Sequence, residues 1–129
     1  MAEGQMGTIR EALADIYGAK NEGGLLCCTL EAVNADGMDV SIQVMAETIN
    51  LAPYPFAEDP LTRLELSGAI DTLESVALDL VDWDANAFAT VGTSGNDPAD
   101  IARLIDQTFV RVLGCSPDYS LKVSTEDLG

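Results

Sequence analysis

Histidine is absent from this chain, and only six residues are Lys or Arg against twenty-two Asp or Glu. The first absence removes the commonest general base and metal ligand. The second leaves a formal charge of −16 on 129 residues. A chain so acidic offers no positive face to nucleic acid or to an anionic membrane. Its cations, Arg10, Lys20, Arg63, Arg103, Arg111 and Lys122, are scattered along the sequence. Aromatics are scarce at 5%, so the expected core is built from Leu, Ile, Val and Ala. No apolar run is long enough to span a bilayer, and Met1-Ala2-Glu3-Gly4 begins nothing that reads as a secretory signal. Cys27, Cys28 and Cys115 are odd in number, two are adjacent, and all lie in apolar stretches. Buried thiols in a reducing cytoplasm are expected.

What remains is a chain that is 47% apolar, too rich in hydrophobic residues to be a disordered acidic tail. Its length suits one domain, 1–129, with 1–7 and 125–129 as loose termini. Thr8-Ile9-Arg10-Glu11 reads as a capping box opening a helix with Ile9, Leu13, Ile16 and Tyr17 on one stripe and Gly18 as its stop. Leu25 to Val33 alternates, with Leu26, Cys28, Leu30 and Ala32 on one side. Asn34-Ala35-Asp36-Gly37 is a turn signal. From there Met38, Val40, Ile42 and Val44 alternate with Asp39, Ser41, Gln43 and Met45, so a hairpin with one buried face is predicted. Ile49 and Leu51 suggest a short third strand ended by Pro53 and Pro55.

Asp59-Pro60 predicts a short helix with Leu61 and Leu64 inward and Gly68 closing it. Val76 to Val81 alternates as a strand with Trp83 at its end, and Phe88 to Val91 returns after a turn at Asp84-Ala85-Asn86. Asp97-Pro98 opens the most regular helix, with Ile101, Leu104, Ile105, Thr108, Val112 and Leu113 at helical spacing and Gly114 as its cap. Tyr119, Leu121 and Val123 predict a last strand. The order α-β-β-β-α-β-β-α-β implies an α+β fold: a mainly antiparallel sheet of about six strands with three helices on one face. The other face is then a candidate binding surface.

Chemistry-bearing arrangements are few. With no histidine, a Ser or Cys nucleophile lacks its usual base, and Lys20 and Lys122 sit in no recognisable motif. Asp79, Asp82 and Asp84 can hold a hard cation only if the turn gathers them. Asn34, Asp36 and Asp39 around Gly37 superficially resemble a calcium loop, but alignment on the glycine puts Ala32 and Gln43 at the terminal ligand positions. The Gly92-Thr93-Ser94-Gly95 joint precedes a helix whose positive end Asp97 and Asp100 already occupy. No catalytic, cofactor or metal residue is therefore assigned. Leu51-Ala52-Pro53-Tyr54-Pro55-Phe56 is held extended by its prolines. Leu51, Tyr54, Phe56 and, further on, Trp83 are the candidate partner-binding residues, if they do not instead seal the core edge.

In element order and acidity the chain resembles type III secretion chaperone-like domains, to which the final strand is an addition. That resemblance implies a small cytoplasmic α+β protein that dimerises and holds a segment of another protein. The leading expectation is a non-catalytic acidic protein-binding domain (chaperone, adaptor or immunity-type) with a basic or apolar protein or peptide partner. It needs no cofactor and has no nucleic-acid or membrane ligand. A homodimer through an apolar sheet face or edge is a further expectation, with Cys27, Val33 and Met45 on the outward register. The alternative is a small enzyme or small-molecule binder using Asp or Glu in a pocket.

Overall fold

A computed structural model describes residues 2–54, 56, 59–67, 78–84 and 87–128. The chain runs α1 (Ala2–Asn21), β1 (Leu26–Val33), β2 (Asp39–Val44), β3 (Thr48–Tyr54), α2 (Pro60–Ser67), β4 (Asp79–Asp84), β5 (Ala87–Gly92), α3 (Pro98–Arg111) and β6 (Lys122–Asp127). The strands form one antiparallel sheet in the order β4-β5-β3-β2-β1-β6. This is the predicted α+β class and element order, with the helices on one face.

The core follows from the alternation. Cys28, Leu30 and Ala32 of β1, Val40, Ile42 and Val44 of β2, and Ala89 and Val91 of β5 all point to the helix side and are buried. Ile9, Leu13 and Ile16 of α1 pack into the same cluster, as do Leu64 of α2 and Ile101, Leu104, Ile105 and Phe109 of α3. Burial of such side chains stabilises by about 1.5–3 kcal/mol each.

α3 starts as its sequence predicts: Asp97 Oδ1 accepts from the Ala99 N–H at 2.9 Å, and Pro98 fills the first turn, where no donor is required. Thr108, fully buried, donates its hydroxyl proton to the Leu104 carbonyl at 2.6 Å, so its own hydroxyl is satisfied inside the core. Asp59 caps α2 in the same way. It accepts from the Thr62 N–H and hydroxyl, and these bonds hold its carboxyl below the usual range. The predicted stop at Gly68 lies outside the described residues.

The far end of α3 is closed from outside. The Asn34 side chain donates to the Leu113 carbonyl at 3.0 Å, and the Ala35 N–H donates to the Gly114 carbonyl at 3.0 Å. The same Asn34 accepts through Oδ1 from the N–H groups of Asp36 and Met38, which shapes the β1–β2 turn around Gly37 at φ 79°. One side chain thus builds the hairpin turn and satisfies the end of a helix distant in sequence.

Several boundaries differ from expectation, each for a local reason. α1 begins at Ala2, so residues 2–7 are helix, and the capping box is not used. The Thr8 hydroxyl donates back to the Gly4 carbonyl at 3.1 Å, a mid-helix arrangement. The added turn is anchored by Gln5, a buried amide that donates to the Pro117 carbonyl at 2.6 Å. Gly18 lies within the helix. The stop is Gly23 at φ 83°, where Gly24 N–H bonds the Ala19 carbonyl and Gly23 N–H the Lys20 carbonyl.

β3 continues through Pro53 because a bulge between Leu51 and Tyr54 sets three residue steps against two on β5. β4 is shifted to Asp79–Asp84, with Trp83 inside it, and a register change between Leu80 and Asp82 breaks its period of two. Residues 76 and 77 of the predicted strand lie outside the described residues.

β6 is Lys122–Asp127 rather than Tyr119–Val123, so 125–127 is strand and not a loose tail. Tyr119 is buried in the preceding connection against Phe109, its hydroxyl donating to Asp106 at 2.9 Å. Burial, reinforced by the Asp106 carboxylate, pushes its phenol far up.

Candidate functional site: the helix-free face of the sheet

Among the described residues, no helix lies on the second face of the sheet, and its side chains follow from the register. One row crosses all six strands: Asp82, Thr90, Asn50, Gln43, Thr29 and Ser124. No member is apolar, and five are uncharged. The Thr90 hydroxyl donates to Asn50 Oδ1 at 2.8 Å, and the Asn50 amide donates to Gln43 Oε1 at 3.2 Å. This chain fixes the two amides and leaves Gln43, which is exposed, to offer its own N–H groups outward. Charge gathers toward the margins of the face: Asp79, Asp82 and Asp84 along β4, and Glu31, Asp39, Lys122 and Glu126 toward β1, β2 and β6.

Where β1, β2 and the start of β6 meet, the surface dips into a groove of about 570 Å³. Glu31 and Asp39 supply carboxylates, Lys122 a cation, Ser41 and Ser120 hydroxyls, and Val33 an apolar wall. Glu31 pairs with Ser41 and Val33 with Asp39, so both carboxylates stand on the helix-free face.

The expectation of an apolar outward face is corrected. Of its three supports, only Val33 is exposed; Met45 is half-buried and Cys27 is 9% exposed. Thr, Ser, Asn and Gln occupy the centre because the polar half of each strand's alternation all lands there.

The candidate partner-binding residues divide. Leu51 and Tyr54 are 1% and 0% exposed and belong to the core: Leu51 faces the helix side in register with Ile42 and Ala89, and the bulge after it turns Tyr54 to the same side. Phe56 and Trp83 are half-buried, each edge-on to Tyr54 at ring separations of 5.4 and 6.1 Å. The Arg63 guanidinium lies 3.9 Å from the Phe56 ring centre. This cluster seals the core edge under α2. The polar row that replaces it as the candidate surface was signalled in part by Ser41 and Gln43, which alternate with the buried Val40, Ile42 and Val44.

No family model matches the chain, and neither does any curated protein or solved structure.

Two thiols are poorly placed for nucleophilic work. Burial pushes Cys115 up to about 11. Burial, then Cys28 and Glu126, raises Cys27. Both stay protonated near neutrality and so lack the reactive thiolate. Cys28 is buried beside Thr125, Sγ to Oγ1 3.5 Å. Asp79, Asp82 and Asp84 are spread along one strand, and among the described residues no group of three or more Asp, Glu or Cys could hold a metal ion. Asn34, first in the calcium-like series, spends its side-chain oxygen on two backbone donors. No helix among the described residues is long and apolar enough to cross a membrane.

Proposed function

We propose that this chain is a non-catalytic acidic binding domain that holds a segment of another protein against the helix-free face of its sheet. The observation that carries this reading is the row from Thr90 to Ser124: hydroxyls and amides that donate and accept without the desolvation cost of charge, framed by carboxylates. A partner with backbone or polar side chains for the centre and basic residues for the margins fits this pattern. The surrounding field speeds encounter with such a partner. The resemblance in element order and acidity to type III secretion chaperone-like domains supports the same kind of role, a chaperone or adaptor.

The test is co-purification with face variants. Gln43→Arg and Thr29→Arg are expected to abolish capture of the partner retained by the wild-type chain, while Glu11→Arg on exposed α1 leaves it intact. Equal retention by all three variants would reject the face as the binding surface.

The groove carries a second reading, a site for a small cationic molecule held by Glu31 and Asp39. A thermal shift with a short diamine, lost in Glu31→Gln, would favour it over the first.

A further inference from the structure

The two outer strands of the sheet differ in how they treat a newcomer. β4 carries Asp79, Asp82 and Asp84 and a register break, and a second copy of β4 would meet like charge. β6 has no register break and no run of charge of one sign along its length. It pairs with β1 in unbroken register from Leu26–Asp127 to Glu31–Lys122, contains neither Pro nor Gly, and exposes every residue. Its charges are also of both signs, with Lys122 at one end and Glu126 and Asp127 at the other.

We propose that β6 pairs antiparallel with β6 of a second copy of this chain, about a two-fold axis at Ser124. The register is set by parity. A two-fold axis perpendicular to the sheet keeps both sets of helices on one side, so facing residues must share a face. Of the registers that satisfy this, centring on Ser124 sets Lys122 opposite the second copy's Glu126, and the reverse. Centring on Thr125 instead sets Glu126 against Ser124 and leaves Lys122 unmatched.

In the chosen register Lys122 lies between Glu31 of its own β1 and Glu126 of the second copy, so charges alternate along the row. Ser124 meets Ser124, which joins the two polar faces into one. On the helix side Val123, 38% exposed, faces the second copy's Thr125 and lies diagonal to its Val123. The free backbone groups of both edges are satisfied together. Two chains of charge −16 repel, but that repulsion is screened beyond roughly 8 Å at physiological salt. The contact is small, so a weak, concentration-dependent dimer is the form it takes.

Sedimentation velocity from about 10 µM to 1 mM protein at physiological salt tests this. The wild-type chain is expected to shift from monomer to dimer. Lys122→Glu and Glu126→Lys each oppose like charges twice per dimer and are expected to weaken it about tenfold or more. The double variant restores both charge pairs across the axis but sets a carboxylate opposite Glu31 of its own β1, so it is expected to regain dimerisation well above either single variant without reaching the wild type. Both residues are exposed, and circular dichroism confirms that each variant folds. A wild-type monomer throughout, a dimer indifferent to Lys122→Glu, or a double variant that stays monomeric would each overturn the proposal.

Discussion

Asn34 shows how much structure one side chain can organise. Its oxygen accepts from Asp36 and Met38 in the hairpin turn, and its amide nitrogen donates to Leu113 at the end of α3. Replacement by Ala removes all three bonds and strands the Leu113 carbonyl. Asn34→Ala is expected to cost about 1–3 kcal/mol, measured by urea unfolding. Asn34→Asp preserves the acceptor but points a carboxylate at a helix C-terminus, whose partial charge is also negative. It is expected to destabilise too. Wild-type stability in Asn34→Asp would show that the turn matters and the helix cap does not.

Among the elements, α3 holds the core together. Leu104 is fully buried, one helical turn before Thr108 and among Ile101, Ile105 and Phe109. Leu104→Ala is expected to lower stability by about 2–5 kcal/mol in thermal or denaturant unfolding. α3 was legible in the sequence because its signals are local: an Asp-Pro start, a stripe at helical spacing, a glycine stop. The β1–β2 hairpin was legible because one of its faces is buried and the other is not. β6 was not, because an outer strand with no cover shows no alternation of apolar and polar residues. β3 and β4 were misplaced because each contains a register break, and one extra residue reverses the facing of everything after it. In β3 that reversal turned Tyr54 inward and made a core residue look like a surface ridge. The capping box at Thr8 failed for a different reason: the motif is genuine in sequence, but Gln5 finds a partner at Pro117 and draws the helix back toward its start.

At the scale of the molecule, charge decides which ligands can approach. The six cations do not gather: Lys20 pairs with Glu47 at 3.2 Å, Arg103 with Asp100, and Arg63 covers Phe56. Gel-shift and filter-binding assays at low salt are expected to show no retention of DNA or RNA. Salt-sensitive binding in the micromolar range would contradict this. The sheet order has a consequence for synthesis. β1 is made before β6, and its outer edge stays open until β6 has left the ribosome. At roughly 5–20 residues per second, the interval between residue 33 and residue 122 lasts several seconds or more. Neighbouring nascent chains on one message then hold an unfilled slot on one chain and a free matching strand on another. Exchange of β6 between copies is the misassembly that this order of strands invites.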